Sequence, residues 1–280
     1  IVIGSKNLLL KQLRFLKKKM SLNNFFFRDN KIYNMKSDKI NIINVDYNFK
    51  KPFEKISSKS NQYILECFKK GLLIAKTYKI SGLINGPISK KTFLKNKFRG
   101  ITEFLSSKFK IKDKCAMLIF NKKISVCPIT THLPVSKISK EISKKKIISK
   151  SILINNFFKK YFNKKPNIAI CGLNPHCENF FYKSEEDKII RPSINFLNKR
   201  KLNLKGPFPA DTIFMRDNIK NFDVIIGMYH DQVLAPIKTL HNFDAINITL
   251  GLPFLRISPD HGPNSKMTGK NKSNPKSLIE

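Results

Sequence analysis

Three of the chain's five histidines stand directly after strand-like apolar runs. The stretch "ISVCPITTHLP" reaches His132, "NIAICGLNPH" reaches His176 and "VIIGMYHDQ" reaches His230. In open α/β sheets, functional groups gather at the carboxyl ends of strands. Three imidazoles delivered there can converge although about 50 residues separate each from the next. Three neutral imidazoles and one open coordination position suit a divalent metal. The residues alone also allow a plainer reading, three unrelated histidines at turns. Cys177, beside His176, could be a further soft ligand but reads more simply as a packing thiol.

A second group carries charge rather than metal chemistry. The run "AINITLGLPFLRISPDHGP" places Asn247, Arg256, Asp260 and His261 after apolar residues. Arg256 is one of only seven arginines. In a Lys-rich chain, an arginine inside an apolar stretch points to a carboxylate or phosphate clamp, with a surface salt bridge as the alternative. The stretches "GLNPHC" and "GPFPADT" are tight Pro/Gly/Asn corners.

Positioning these groups takes an alternation of strands and helices. Candidate strands are Ile1–Ile3, Ile40–Val45, Ile80–Ile84, Ala116–Phe120, Ile124–Cys127, Ile168–Cys171, Val224–Met228 and Ala245–Leu250. Helical patterns fill Asn61–Tyr78, Ser136–Phe158 and Lys183–Lys199. This alternation predicts an α/β fold with a largely parallel sheet. The 280 residues suit one large domain or two α/β lobes, and 41% hydrophobic residues with 23 Phe supply a sizeable core. There is no internal repeat and no long Pro/Gly linker.

The net charge of +35 raises nucleic acid as a partner. Nearly all of that charge is lysine, spread along the whole length, whereas specific readers of bases lean on arginine. The runs Lys17–Lys19 and Lys144–Lys146 read as solvated helix faces. We therefore expect no specific nucleic-acid partner, but a field that favours anionic small molecules. Five cysteines without a C-x-x-C pair exclude a disulfide framework or zinc knuckle and suit a reducing cytoplasm. No apolar run approaches the ~18 residues of a membrane span, and no signal peptide is visible. The chain opens at Ile1 in "IVIG" without Met and reads as lacking its natural start.

The stretches "GLNPHC", "GPFPADTIF", "MYHDQ", "APIK" and "INITLGLPFLRISPDHG", preceded in order by "NGPISK", "GITEFL" and "THLP", closely resemble the 4-hydroxythreonine-4-phosphate dehydrogenase family of vitamin B6 synthesis. The resemblance spans nearly the entire chain. It implies a two-lobed α/β/α homodimer, similar in fold to isocitrate and isopropylmalate dehydrogenases, with a cleft between the lobes. Residues 1–98 plus 251–280 would form the first lobe and residues 99–250 the second. The implied reaction is oxidation of 4-phosphooxy-L-threonine with NAD or NADP, then decarboxylation to 3-amino-2-oxopropyl phosphate. The resemblance assigns His132, His176 and His230 to a divalent metal (Zn, Mg or Co). It assigns Thr102, Lys238, Asn247 and Arg256 to the phosphorylated substrate. Asp211 or Asp231 would accept the hydroxyl proton, or else cap turns. No G-x-G occurs among the 11 glycines, which excludes a dinucleotide fingerprint. The cofactor is placed at the Asp260-His261-Gly262 turn instead.

Three departures from the family pattern bear on function. Ile101 stands in "GITE" where the family carries a substrate-binding histidine. "CENFFYKSEED" replaces a glycine-rich segment after His176, and the family's glycine-rich opening is absent. Two other enzyme readings follow: a same-fold dehydrogenase for another phosphorylated hydroxy acid, and a metal-dependent phosphohydrolase using the same histidines. A basic nucleic-acid binder with an inactive dehydrogenase fold is a third alternative.

Overall fold

The computed structural model describes residues 1–28, 31–78, 80–94, 97–98, 100–111, 114–177, 184–242 and 244–279. They form two compact units. Unit one is Ile1–Leu83, Pro87–Lys97 and His261–Pro275; unit two is Ile84–Gly86, Phe98–Asp260 and Lys276–Glu280.

Unit one carries β1 (Val2–Gly4), β2 (Leu22–Asn24) and β5 (Ile40–Asn44) as a parallel sheet with β5 in the middle, and a short antiparallel pair, β3 (Phe26–Arg28) and β4 (Lys31–Tyr33). Its helices are α1 (Lys6–Phe15), α2 (Asn61–Thr77) and α3 (Lys90–Phe93). Ser5 starts α1 by accepting the Leu8 N–H at 3.3 Å, an N-cap that satisfies one orphan donor. Lys17–Lys19 follows α1 rather than lying on it.

The large sheet runs β10 (Leu204–Phe208), β9 (Ile168–Cys171), β11 (Val224–Tyr229), β8 (Ser125–Thr130), β7 (Ala116–Phe120), β12 (Ile246–Leu250), β13 (Arg256–Pro259), with β6 (Leu83–Ile84) last. The helices α4 (Ile101–Lys108), α5 (Ile138–Glu141), α6 (Lys144–Phe162), α7 (Arg191–Lys199), α8 (Arg216–Ile219), α9 (His230–His241) and α10 (Lys276–Ile279) belong to this unit. Alternate residues of one strand serve two cores: Leu118, Ile168, Ile170, Val224 and Ile226 on one face, Ile119, Val126, Ala169, Cys171 and Ile225 on the other. Burial on both faces is why these strands read as unbroken apolar runs.

The sheet is mixed rather than largely parallel. β10, β9, β11 and β8 are mutually parallel, but β7 is antiparallel to β8 and to β12, and β13 is antiparallel to β12. The linkers 121–124 and 251–255 are too short for a crossover helix, so these strands can pair only as hairpins. β13, placed in the first lobe by the sequence, hydrogen-bonds along β12 in unit two. The expected Ser136–Phe158 helix breaks before Ser143, whose side chain accepts the Lys146 N–H and starts α6 anew. Lys183 lies outside the described residues; beyond it a π-turn at Glu186–Ile190 leads into α7. Among the described residues no helix is long and apolar enough to cross a membrane.

Candidate active site

Four adjacent parallel strands end on one edge of the large sheet. Each delivers a residue singled out by sequence. Asp211 follows β10, His176 follows β9, His230 is the first residue after β11, and His132 is the second after β8. His132 and His230 meet, with ring centroids 5.6 Å apart. His176 does not join them in one coordination sphere: among the described residues no group of three or more His, Cys, Asp or Glu is placed to hold a metal ion. The reason is local. His132 and His230 leave neighbouring strands within two residues, whereas His176 is held in a tight turn (Pro175–Cys177) after β9. His132 (φ 43°), His176 (φ 57°) and Cys177 (φ 55°) adopt left-handed backbone. That conformation costs a non-glycine residue roughly 1–2 kcal/mol, and such strain concentrates at functional sites.

Both paired histidines face a carboxylate. The Nδ1 of His230 donates to Asp231 Oδ1 at 2.6 Å, and the Nδ1 of His132 lies 3.9 Å from Glu103 Oε1. Thr131 Oγ1 also donates to Glu103, at 3.1 Å. Burial raises the Glu103 carboxyl, but the His132 ring, Glu103's own backbone N–H and Thr131 more than reverse this and hold it at about 2. Carboxylates on Nδ1 fix the ring and leave Nε2 as the outward donor, the usual support of metal-binding histidines. These two rings are the donors the structure brings together, and among the described residues no third His, Cys, Asp or Glu completes a metal-holding group. Gly100 makes room for the Glu103–His132 pair: a Cβ there would lie 2.7 Å from Glu103 Oε2 and 3.3 Å from His132 Cε1.

The second group assembles on β12 and β13. Arg256 is 2% exposed. Its Nε and Nη2 donate to Asn85 Oδ1 at 2.9 and 2.7 Å, and its Nη1 donates to Thr249 Oγ1 at 3.0 Å. Thr249 stands opposite Arg256 in the ladder, and its hydroxyl lies 3.3 Å from that of Thr102. Asn247, two residues before Thr249 on the same strand, keeps its Oδ1 buried without a partner among the described residues. All these partners of Arg256 are neutral, and burial lowers its guanidinium to about 10. Thr102 and Glu103 are neighbours on the first turn of α4, so one turn touches both groups. Ile101 beside them is 8% exposed and faces the core.

The remaining candidates sit less centrally. Lys238 of α9 donates to Asp260 Oδ2 at 2.6 Å, where the Asp260 side chain is 1% exposed. His261 Nδ1 lies 3.0 Å from the Gly262 carbonyl, and a Cβ on Gly262 would meet nothing within 4 Å. Asp211 is exposed, and the Asp231 side chain is 82% exposed with His230 as its partner.

The family described as pyridoxal phosphate biosynthetic protein PdxA matches residues 1–280. The chain belongs to this family. Among PdxA relatives, the 4-hydroxythreonine-4-phosphate dehydrogenase of Sulfurihydrogenibium sp. is 41% identical over 245 residues, covering 86% of this chain and 74% of that protein. The D-threonate 4-phosphate dehydrogenase of Pectobacterium atrosepticum is 29% identical over 226 residues, covering 80% and 69%. The crystal structure of the Klebsiella pneumoniae 4-hydroxythreonine-4-phosphate dehydrogenase superposes with a TM-score of 0.81 at 25% identity, over 99% of this chain and 86% of that one. Matches to the first curated relatives span between 59% and 74% of their lengths.

Sequence reasoning missed Glu103, Asn85 and Thr249 in this PdxA chain. All three lay inside quoted stretches ("GITEFL", "NGPISK", "INITLG"). Glu103 and Asn85 lie 29 and 171 positions from their partners His132 and Arg256 (132 − 103; 256 − 85), so no local spacing marks them; Thr249 is seven positions from Arg256 (256 − 249) and faces it only through the β12–β13 pairing.

Proposed function

We propose that the chain oxidises 4-phosphooxy-L-threonine with NAD or NADP and decarboxylates the product to 3-amino-2-oxopropyl phosphate, in pyridoxal phosphate biosynthesis. The observation that carries this reading is Arg256. A guanidinium taken out of water whose partners among the described residues are all neutral is costly unless an anion completes it, and the substrate brings both phosphate and carboxylate. Arg256, with Thr102 and Asn247 beside it, binds one of these groups. Lys238 contributes once its ammonium turns from Asp260 to the ligand.

His132 and His230, whose rings meet, would hold a divalent metal (Zn, Mg or Co), with His176 a third ligand only in a state that brings its turn to them. Bound there, such an ion lowers the pKa of the substrate hydroxyl and polarises the forming carbonyl. Asp231 orients His230 and Glu103 orients His132. Asp231, largely exposed, or Asp211 takes the hydroxyl proton. The nicotinamide cofactor binds at Asp260-His261-Gly262, where Gly262 leaves space. We further propose a cytoplasmic homodimer, which sedimentation would check.

The test is a spectrophotometric assay of the purified chain with zinc and each cofactor, run in parallel on 4-phosphooxy-L-threonine and D-threonate 4-phosphate. Reduced cofactor formed from the first substrate is expected. Turnover of the second alone would reassign the substrate. Phosphate release without any cofactor would make the chain a phosphohydrolase.

A further inference from the structure

The guanidinium of Arg256 is held from two elements by side chains that carry no charge and have no assigned role. Asn85 stands just after β6, and its backbone N–H donates to the Ile257 carbonyl of β13 at 3.1 Å. That bond sets Asn85 beside Arg256, whose Nε and Nη2 both donate to Oδ1, at 2.9 and 2.7 Å. The Asn85 Nδ2 donates to the Gly86 carbonyl at 2.8 Å. The amide cannot be turned over without setting donors against donors. Thr249, opposite Arg256 in the β12–β13 ladder, accepts from Nη1 at 3.0 Å.

Asn85 occupies the edge of the guanidinium that a carboxylate ordinarily fills, since Nε–H and an N–H of Nη2 match a carboxylate through two bonds. An aspartate of the same shape would close an ion pair there and cancel the charge. The amide oxygen gives the same restraint and leaves the charge whole. Burial lowers the guanidinium to about 10, and among the described residues no charge offsets it. A guanidinium carries five N–H donors. Three are taken here, which leaves one on Nη1 and one on Nη2. Asn85 and Thr102 are only half-buried, so the surroundings of Arg256 are not sealed from solvent.

We propose that Asn85 and Thr249 are positioning residues that fix the Arg256 guanidinium while leaving its charge uncancelled, so that the neutrality of Asn85 determines that this site takes an oxyanion. This rests on the reading of Arg256 as the anion-binding residue. The ligand group is a carboxylate or a phosphate, which accepts from the two remaining N–H donors. Thr249 has a second part. While accepting from Arg256, it donates its own O–H to Thr102 Oγ1, 3.3 Å away. The Thr102 hydroxyl is then left to donate to the same anion.

The experiment titrates inorganic phosphate and, separately, acetate into the native chain and into Asn85→Asp, Asn85→Ala, Thr249→Val and Thr249→Ser, with the melting temperature, KM and kcat recorded for each. The tighter of the two anions names the group that the site takes. In Asn85→Asp the new carboxylate pairs with Arg256, so affinity for that anion should fall about 10-fold, the weight of one charge-assisted contact, while the melting temperature holds or rises. A merely structural Asn85 predicts the reverse, lowered stability with affinity unchanged. Asn85→Ala should lower both. Thr249→Val should weaken anion binding several-fold and raise KM more than it lowers kcat, and Thr249→Ser, which keeps the hydroxyl, should recover both. Native-like anion affinity in a folded Asn85→Asp or in Thr249→Val overturns the proposal. If the native chain binds neither anion, the reading of Arg256 fails by itself. Exchange of the Arg256 Nε proton, followed by NMR, then decides the positioning role: exchange no faster in Asn85→Ala than in the native chain overturns it, and faster exchange supports it.

Discussion

At the ends of β8 and β11 the two histidines that meet each have a carboxylate beside them; on β12 and β13 a guanidinium has none among the described residues. His230 holds Asp231 at 2.6 Å and His132 lies 3.9 Å from Glu103. Arg256 has an amide and a hydroxyl. The contrast is chemical. Carboxylates behind imidazoles raise their basicity and aim the outer nitrogens at a cation. Neutral acceptors around a buried guanidinium orient it without cancelling its charge, which then awaits an anion. On the proposed reading the first region takes a cation and the second an anion, and a phosphorylated amino alcohol on a metal would need both. The first turn of α4 joins them, Glu103 on one side and Thr102 on the other.

The largest effect should come from breaking the cation side. His230→Ala, or exhaustive chelation of the native chain, should abolish cofactor reduction, and adding zinc back should restore only the chelated native chain. Zinc titration of His230→Ala should show affinity reduced by at least the 10–100-fold that follows loss of a mere supporting group. Full activity in chelator would remove the metal from the comparison altogether.

Breaking the anion side should cost somewhat less and carry a different stability signature. Replacing Arg256 by Met removes a charge-assisted contact worth about 1.5–3 kcal/mol, so kcat/KM should fall roughly 10–100-fold, at about 1.4 kcal/mol per decade. The melting temperature should hold or rise, because exchanging an uncompensated buried charge for an apolar side chain is often neutral or stabilising. Inorganic phosphate should raise the melting temperature of the native chain and not of Arg256→Met. A marked loss of stability in the variant, with phosphate still stabilising it, would mean that Arg256 is structural.

Why one region was more legible than the other follows from how each is built. His132, His176 and His230 announce themselves because a polar residue at the end of an apolar run is a local signal, and parallel strands bring such ends to one edge. Arg256 was visible as a charge inside an apolar run. Its environment was not: Asn85 and Thr249 approach through strand pairing and chain crossing, and nothing in "NGPISK" says which side chain it will meet. The antiparallel strands β7, β12 and β13 were misjudged for a related reason. A buried apolar run looks the same in either direction, and only the shortness of its linkers betrays a hairpin. The stretch "GLNPHC" reads as a tight corner, but nothing in it says that the Pro175–Cys177 turn leaves His176 apart from the His132–His230 pair.

A smaller effect tests the carboxylates as supports. Glu103→Gln keeps the shape but removes the charge facing His132. Zinc affinity should fall about 10-fold, the low end for a supporting group, while phosphate stabilisation through Arg256 stays. The pH dependence should change as well. The Glu103 carboxyl is held at about 2 in the fold, against ~4.3 for an unperturbed glutamate. Its depressed value means that it stabilises the fold fully above the unfolded value, and the contribution is lost as pH falls from about 4.3 toward 2. Urea midpoints measured across that window should slope less in Glu103→Gln than in the native chain. Equal slopes would detach Glu103 from His132.

The smallest effect on chemistry should come from Ile101, although it stands next to Thr102. Ile101 is 8% exposed and packs into the core, so it belongs to neither charged region. Ile101→His would bury an imidazole where the chain has an apolar side chain, at a cost of about 1–3 kcal/mol for an unpaired polar group. The buried ring would resist protonation, whereas an unfolded histidine takes up its proton near pH 6.5. The unfolded state then binds more protons, so the variant should lose further stability as pH drops below about 6.5. The melting temperature should therefore fall, and fall more at pH 5.5 than at pH 8, with the ratio of kcat/KM for 4-phosphooxy-L-threonine over D-threonate 4-phosphate unchanged. A changed ratio at unchanged stability would show the ring reaching the ligand. The anion side would then extend along α4 past Thr102, and the native isoleucine would itself be a determinant of substrate choice.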